Sequence, residues 1–197
     1  MQKSYHNRWI PDEALAVLEA EKGRILDVGG GAAPYAGAAH ILDVLPFHAD
    51  RLRANAWSRN DVVGKSHADG NRVPVTSASG WTEKDYTRLD VCECVRWPFA
   101  DSQFDLGLCS HCLEDVRGPC PAVLELSRVC RRVLVIVPSR LLEQTMGIDH
   151  PRYCGFSHHL WIVMMKTSKL VFRRKTPVVN LRGCHIRVPY GSVLKRE

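Results

Sequence analysis

A short apolar run that ends in three glycines constrains the fold of this chain more than any other feature. Ile25–Val28 consists of residues typical of a buried strand, and Gly29, Gly30 and Gly31 follow at once. Because glycine has no Cβ, such a turn lets the backbone approach a ligand closely. A second apolar run ends in Asp43, which is placed to accept both hydroxyl groups of a ribose. The sequence therefore predicts a cradle for a nucleoside-containing cofactor.

Two residues near the glycines indicate which cofactor this cradle accepts. Asp27 lies two residues before the first glycine, where its charge would repel the pyrophosphate of a nicotinamide dinucleotide. Pro34 stands where a dinucleotide-binding sequence needs a third glycine for close packing of helix and strand. S-adenosylmethionine carries a cationic amino acid and a sulfonium, which a carboxylate attracts. The pattern favours S-adenosylmethionine over a dinucleotide.

The alternation of apolar patterns along the chain predicts an α/β fold with a mostly parallel sheet, in one domain over residues 1–197. Ile41, where the second strand begins, is only ten positions after Gly31, so any crossover helix between them must be short. The C-terminal runs 169–175 and 185–188 are predicted to form an antiparallel pair. The other predicted elements are helices within 5–22 and from about 120 to 129, and strands at 24–28, 41–44, 86–91, 104–109 and 133–137.

Residues 48–86 differ from the rest of the chain. Small polar and charged residues predominate, and no period emerges between residues 51 and 81. A compact domain rarely keeps thirty or so residues without a pattern unless they have a function. We predict a lid or substrate-loop insertion, partly packed through Trp57, Trp81 and Tyr86.

The net charge of +6 is unevenly distributed. Residues 166–197 contain nine lysines and arginines against Glu197 alone, whereas the first 165 residues carry a net charge of −2. Such a segment can meet nucleic acid, but lysines also protect sheet edges, and we interpret it as a solvated edge. Nucleic acid is therefore an unlikely partner. The absence of a long apolar run and of a signal-peptide core predicts no membrane association and a cytoplasmic location.

The eight cysteines are expected to be free thiols, because no secretory signal indicates a disulfide framework. Cys92-x-Cys94 and Cys109-x-x-Cys112 have spacings seen in metal sites. In the expected sheet order, three strand spacings separate the two pairs, roughly 14 Å. Zinc–sulfur bonds are about 2.3 Å long, so the two pairs are not expected to share an ion.

With the acids that follow it, the glycine motif resembles the opening of class I S-adenosylmethionine-dependent methyltransferases, in their small-molecule branch. The resemblance covers nearly the whole chain except residues 48–86. It implies a three-layer Rossmann-like sandwich, with a mostly parallel central sheet of six to seven strands and an antiparallel C-terminal strand. It also implies that Asp27 and the glycine backbone hold the methionine end, while Asp43 binds the ribose.

Further positions match the family in chain order. Asp90 matches the acid that accepts a hydrogen bond from the adenine amino group, with the amide of Val91 nearby. Ser110 and His111 begin a segment that resembles the lining of the pocket beside the sulfonium. The predicted cofactor-binding residues are Asp27, Gly29, Gly30, Gly31, Asp43, Asp90, Val91, Ser110 and His111.

Methyl transfer is an in-line displacement, so an enzyme must align the reacting atoms and, for an oxygen or nitrogen nucleophile, remove a proton. The fourth strand lacks the Asn/Asp-Pro-Pro-aromatic run that grips a planar amino group of a nucleobase, which favours a small-molecule acceptor. His111 is the best base candidate, because imidazole titrates near neutral pH. Its competing role is to bond the adenine or to pack the pocket.

Residues 154–161 form a second polar and aromatic cluster, expected to fold over the mouth of the site. Adjacent histidines point to different sides of an extended or helical chain, so at most one of His158 and His159 is expected to face substrate. His150 and Cys154 are possible metal partners, but we predict a polar hinge and no metal. The catalytic candidates are His111 and His158, and the candidate substrate contacts are Tyr5, Arg8, Glu114, His158, His159 and Trp161.

The sequence thus predicts an enzyme, an S-adenosylmethionine-dependent methyltransferase that acts on a small molecule. Two alternatives stay open. The chain could modify RNA or another nucleic acid through its basic C-terminal segment. It could also be a non-catalytic protein that kept a cofactor-binding fold, since a fold alone does not prove activity.

Overall fold

A computed structural model describes residues 10–57, 80–181 and 183–189 of the chain. The chain forms two units, of which the first comprises residues 1–110 and 118–136. The second comprises residues 111–117 and 137–197. The candidate substrate contacts Tyr5 and Arg8 lie outside the described residues.

Helices and strands alternate along the first unit, as predicted. Pro11 precedes the first helix, whose first turn contains two acids that interact favourably with the helix dipole. Pro119 begins another helix, at a position where its missing N–H would have no partner inside the helix. The helices are α1 (Asp12–Ala20), α2 (Ala49–Asn55) and α3 (Pro119–Val129), and the strands are β1 (Ile25–Val28), β2 (His40–Asp43), β3 (Tyr86–Arg88), β4 (Phe104–Ser110) and β5 (Cys130–Ile136).

These strands form one parallel sheet in the order β3-β2-β1-β4-β5. Asp27 of β1 is in register with Ile41 on one side and with Leu108 on the other. The strand order therefore reverses between β1 and β4, which is where open α/β sheets bind ligands. The α/β fold with a mostly parallel sheet is confirmed. The central sheet has five strands in the described residues, not six to seven.

Helices cover both faces of this sheet. Leu15 of α1 belongs to the same buried cluster as Leu106 and Leu108 of β4. Gly107 lies between these leucines and so faces the opposite side, where an added Cβ would come within 3.0 Å of Leu126 in α3. Helices α1 and α3 thus form outer layers on opposite faces of the sheet.

The connection from β1 to β2 contains no helix, so the prediction of a short crossover helix is wrong. Its middle is paired instead with the chain after α2: Ala36 N donates to Trp57 O over 2.8 Å, and Trp57 N donates to Pro34 O over 2.9 Å. A parallel crossover usually needs a dozen or more residues, and this one is shorter and rich in glycine. The loop after β1 is therefore held by neighbouring segments and not by a helix of its own.

The flanks of the predicted insertion belong to the fold of the first unit. Trp57 and Tyr86 are buried, and Trp81, 3% exposed, donates its indole N–H to a main-chain carbonyl over 2.9 Å. The predicted packing of these three aromatic side chains is confirmed. Residues 58–79, the middle of the predicted lid, lie outside the described residues.

The second unit is built from short elements. Its strands β7 (Trp161–Lys166) and β8 (Lys169–Arg174) form an antiparallel hairpin. The hairpin is joined by Thr167 and Ser168, which both have positive φ angles, as a two-residue hairpin turn requires. Strands β6 (Thr145–Met146) and β9 (Ile186–Arg187) pair in parallel. The elements are α4 (Arg140–Glu143), β6 (Thr145–Met146), β7 (Trp161–Lys166), β8 (Lys169–Arg174) and β9 (Ile186–Arg187).

The predicted antiparallel pairing of 169–175 with 185–188 is therefore wrong. The first run pairs with β7, which directly precedes it, because a two-residue turn closes that hairpin locally. The second run pairs with β6 through Ile186 and Arg187. Neither run adds an antiparallel strand to the central sheet.

The helices of both units are short. The longest among the described residues, α3, has 11 residues. A bilayer requires about 20 apolar residues, and no described helix is long and apolar enough to cross one.

Candidate functional site

The glycine loop after β1 folds closely over two aspartates. A Cβ added at Gly30 would collide with the carboxylate of Asp27. A Cβ added at Gly31 would lie 2.6 Å from Asp43 Cγ and 2.8 Å from the Tyr86 hydroxyl. Glycine is required at both positions because any side chain would displace a buried group.

The same aspartates hold the loop through main-chain amides. Asp27 is fully buried, and its Oδ2 accepts a hydrogen bond from Tyr35 N at 2.7 Å. Asp43 Oδ2 accepts from Gly31 N at 2.8 Å, while its Oδ1 accepts from Leu45 N at 2.8 Å. A carboxylate oxygen can accept more than one hydrogen bond, so Asp43 keeps capacity for a ribose while it fixes the loop.

The chain after β3 brings the predicted adenine-binding pair to the same edge of the sheet. Asp90 Oδ1 accepts a hydrogen bond from Cys92 N at 2.9 Å, and Val91 between them is buried. At the start of β3, Tyr86 donates its hydroxyl to Leu45 O over 2.8 Å. Burial, with a contribution from the Asp43 charge, raises the pKa of Tyr86 to about 12, so the hydroxyl stays a donor. The acid that ends β2 and the acid that follows β3 are therefore both held by main-chain hydrogen bonds.

Ser110 ends β4 at the point where the strand order reverses. Because Val28 is opposite Cys109 in the register, Gly29 and Ser110 are the next residues at the ends of adjacent strands. Ser110 is 1% exposed, and its Oγ has no hydrogen-bond partner among the described residues. Buried hydroxyl groups nearly always have a partner, so this one marks a position that a ligand or water would satisfy.

His111 opens the second unit in an unusual conformation. Its φ of 51° lies in the left-handed region, which residues other than glycine rarely adopt and which is often found at functional sites. Its Nδ1 lies 3.3 Å from Oε1 of Glu114, an ion-pair distance. The Glu114 carboxylate is 1% exposed, and within the described ranges neither of its oxygens makes a hydrogen bond. The predicted base and a predicted substrate contact are thus neighbours.

A buried charge cluster is centred on Glu143, at the end of α4. Glu143 is 1% exposed, its Oε1 is 2.6 Å from His159 Nδ1, and its Oε2 accepts from Lys175 Nζ at 2.6 Å. Lys175 also donates to Phe156 O over 2.7 Å. Gly155, with φ 55°, leaves room for the carboxylate, since an added Cβ would lie 2.5 Å from Glu143 Oε2. One acid thus satisfies a cation and an imidazole that are both buried.

Both adjacent histidines face Asp115, contrary to the prediction that they point to different sides. His159 Nε2 is 3.5 Å and His158 Nε2 is 3.9 Å from Asp115 Oδ1. Their ring centroids are 4.5 Å apart. The prediction assumed an extended or helical chain, whereas His158 lies in a turn. Burial raises the pKa of Asp115, and the two histidines oppose that shift.

Segment 111–117 is fastened to the start of β7. Glu114 O accepts hydrogen bonds from Leu160 N at 2.7 Å and Trp161 N at 3.0 Å. The Trp161 indole donates to Val116 O over 2.8 Å. Trp161, predicted as a substrate contact, therefore fixes the main chain on both sides of Asp115.

Cys154 and His150, the possible metal partners named from the sequence, each make a hydrogen bond with the main chain. Cys154 Sγ donates to Val179 O at 3.1 Å, and burial raises the pKa of its thiol, which opposes the thiolate form a metal needs. His150 Nδ1 accepts from Arg152 N at 3.1 Å. The first cysteine pair follows β3, and the second begins at Cys109 within β4. These two strands are three strand spacings apart, as predicted.

Sequence reasoning missed the roles of Glu143, Lys175 and Asp115. Lys175 belongs to the basic segment interpreted as a solvated edge, yet its side chain is 8% exposed and paired. The three residues come from distant parts of the chain, and no spacing among them has the period of a single helix or strand. The pairing of β7 with β8, which the sequence analysis did not predict, is what returns Lys175 to His159.

Comparisons with protein-family models, with curated proteins and with solved structures found no match for this chain. The first unit holds the predicted cofactor residues except His111, and the second unit holds His111, Glu114, His158, His159 and Trp161.

Proposed function

We propose that this chain is an S-adenosylmethionine-dependent methyltransferase of the Rossmann-like class, which transfers a methyl group to a small-molecule acceptor. One observation carries the proposal: the glycine loop, Asp43 and the unpartnered Ser110 hydroxyl converge at the point where the order of a parallel sheet reverses. Ligands of open α/β sheets bind at that point, outside the carboxyl ends of the strands.

The residues at this edge fit an adenosyl sulfonium. Gly30 and Gly31 let the loop fold directly onto the carboxylates of Asp27 and Asp43, which holds these acids beside the end of β1. Ser110 offers a buried hydroxyl that has no partner in the described part of the chain. When bound, the cofactor supplies an electrophilic methyl group on a positively charged sulfur. Carboxylates at the rim favour that charge.

The same features disfavour a dinucleotide, the main competitor for such a loop. A pyrophosphate is normally bound at the N-terminus of the helix that follows the first strand, and no helix lies between β1 and β2. Asp27, Asp43 and Asp90 would also repel it, because like charges are costly where water is excluded.

We assign the base to His111, which directly follows Ser110 in the chain. The neighbouring Glu114 can hold the imidazole in one orientation and stabilise its protonated form, as a carboxylate does in acid–base pairs. His158, the other catalytic candidate, faces Asp115. Nucleic acid is disfavoured as acceptor because part of the basic segment is used internally: Lys175 pairs with Glu143, and Arg174 lies 5.3 Å above the Trp161 ring.

Calorimetric titration of the full chain tests the cofactor. S-adenosylmethionine and its demethylated product should each give a saturable isotherm, and a nicotinamide dinucleotide should give none. Ser110→Ala should weaken binding of the product by about fivefold, since one hydrogen bond contributes roughly 1 kcal/mol. An isotherm for the dinucleotide alone would refute the proposal.

Transfer of a labelled methyl group to a panel of small hydroxyl, amine and thiol compounds tests the enzyme assignment. His111→Gln should lower kcat and remove the base from the pH profile, with binding of the demethylated product retained. Incorporation only into RNA would support the nucleic-acid alternative. Binding without transfer to any acceptor would support a non-catalytic protein.

A further inference from the structure

Three side chains of the second unit present ligand atoms to a common point. Asp115 Oδ1 lies 3.5 Å from His159 Nε2 and 3.9 Å from His158 Nε2. All three groups offer an atom within 4.8 Å of the other two. Two imidazoles and a carboxylate form a donor set typical of zinc and non-haem iron sites.

The innermost of these ligands is already oriented. His159 has a side chain that is 5% exposed, and its other ring nitrogen, Nδ1, is 2.6 Å from Oε1 of Glu143. A carboxylate at this position fixes the tautomer that leaves Nε2 as an acceptor, which is the usual outer-shell arrangement of metal-binding histidines. Lys175 in turn holds the second oxygen of Glu143 at 2.6 Å.

The carboxylate ligand is held as firmly from the main chain. The carbonyl of Glu114, before Asp115, accepts from the amides of Leu160 and Trp161. The carbonyl of Val116, after it, accepts from the Trp161 indole. These bonds connect the turn that carries Asp115 to the residues directly after His159, so the distance between the two ligands is fixed by the fold.

We propose that Asp115, His158 and His159 bind one divalent transition-metal ion, with Zn²⁺ as the best match. Tetrahedral Zn²⁺ with bonds of 2.0–2.1 Å needs ligand atoms roughly 3.3 Å apart. The three ligand atoms lie within 4.8 Å of one another, so closure requires them to approach by at most about 1.5 Å. Most of this movement falls on His158, whose side chain is 57% exposed and can adjust. Three protein ligands leave a position for water or for an oxygen of a small molecule.

Charge neutralisation alone does not account for the arrangement. Lys175 already balances Glu143, and His159 lies between Glu143 and Asp115. Nothing in that chain of contacts requires His158, yet its ring lies 4.5 Å from that of His159 and its Nε2 faces the same carboxylate. A ligand role explains His158, so this residue is the one on which the test depends. The inference concerns only the second unit and does not depend on the methyltransferase proposal.

Titration of the metal-free full chain with Co²⁺ provides the test. The protein is first treated with chelator, then titrated while visible absorption is recorded, and Zn²⁺ is added as competitor. We expect one equivalent of Co²⁺ to give d–d bands typical of nitrogen and oxygen ligands, which Zn²⁺ abolishes. Binding through any of the eight cysteines would instead add thiolate-to-cobalt charge transfer in the near ultraviolet, and that result would overturn the proposal.

Variants separate a metal site from an ion-pair network. His158→Gln and Asp115→Asn should each weaken Co²⁺ binding by about 100-fold or more. The matched control is His185→Gln, which changes a half-buried histidine outside the cluster and should bind Co²⁺ as the parent does. Since His158 is exposed, the melting temperature of its metal-free variant should equal that of the parent.

Glu143→Gln tests the outer shell and should weaken Co²⁺ binding by roughly 10–100-fold. If that variant does not fold, His158→Gln still tests whether the cluster binds a metal ion. Unchanged Co²⁺ affinity in His158→Gln, or no Co²⁺ binding by the parent chain, would overturn the assignment.

Discussion

The buried acids beside the glycine loop of the first unit and the buried acid of the charge cluster in the second are held in opposite ways. In the first unit, Asp27 and Asp43 accept hydrogen bonds from amides of the loop that they support. In the second, Glu143 is paired with the side chains of Lys175 and His159, which come from distant parts of the chain. Backbone bracing fixes the conformation of the loop. Side-chain pairing instead fixes charges relative to one another.

The difference predicts how each unit responds to mutation. A carboxylate that braces a loop can be replaced at the cost of its hydrogen bonds, about 1–3 kcal/mol for a buried group. A carboxylate that balances a buried ammonium leaves an uncompensated charge when it is removed, at a cost of about 3–5 kcal/mol. The following experiments begin with the largest effect.

Glu143→Ala should be the most destabilising substitution, by about 3–5 kcal/mol, because it leaves Lys175 buried without its partner. Urea unfolding measured at pH 7 would show it as a lower midpoint. Glu93→Ala, at an exposed acid, is the matched control and should stay within about 0.5 kcal/mol of the parent. A loss below about 1 kcal/mol for Glu143→Ala would mean that Lys175 reaches water, contrary to its burial.

Gly31→Ala should destabilise the first unit by about 1–3 kcal/mol, since the new methyl group would overlap Asp43 and the Tyr86 hydroxyl. It should also abolish binding of the demethylated cofactor, because the loop must move. Thermal unfolding and calorimetry measure the two effects. Gly80→Ala is the control, as a Cβ there would meet no atom of the described residues within 4 Å. Parent-like affinity in Gly31→Ala would show that the cofactor does not contact this loop.

Arg128→Met should cost the first unit about 1 kcal/mol at neutral pH, a smaller effect because the pair is closer to solvent. Arg128 binds both oxygens of Glu125 at 2.9 and 2.5 Å and the carbonyl of Phe99 at 2.8 Å. Its hydrogen bonds lower the pKa of Glu125. A carboxyl group whose pKa is lowered in the folded state stabilises the fold at pH values above its ordinary pKa. That stability is lost as the pH falls through the lowered pKa.

The difference in unfolding free energy between the parent chain and Arg128→Met should therefore shrink in acid. Denaturant unfolding at pH 7 and at pH 3 measures it, with Arg53→Met in α2 as an exposed control. A difference that stays constant between the two pH values would show that Arg128 acts through the packing of its stem and not through its charge.

The sequence was most informative where one element determines the structure locally. The run Ile25–Val28 with its glycines correctly predicted the first strand and the loop after it, and Pro119 correctly predicted the start of a helix. The sequence was least informative where the structure depends on contacts between segments that are distant in the chain. Neither the pairing of β6 with β9 nor the meeting of Glu143 with Lys175 leaves a period in the sequence, because each depends on segments more than thirty residues apart.

Thiol labelling should reveal the smallest effect. It tests whether the charge cluster around Glu143 stabilises the second unit. Cys94, Cys120 and Cys184 are exposed and should react first. Cys130 in the first unit and Cys154 in the second are buried, and burial raises the pKa of both thiols. Glu143→Gln should speed the labelling of Cys154 more than that of Cys130, because local opening exposes only the unit that lost its contacts. Equal acceleration of both would indicate one cooperative unit.

The most direct measurement is a crystal structure of the chain with the demethylated cofactor, S-adenosylhomocysteine. Our account predicts the ligand at the carboxyl ends of β1 and β4, with its ribose on Asp43 and a hydrogen bond to Ser110 Oγ. A ligand bound elsewhere, with the Ser110 hydroxyl bonded only to water, would contradict it.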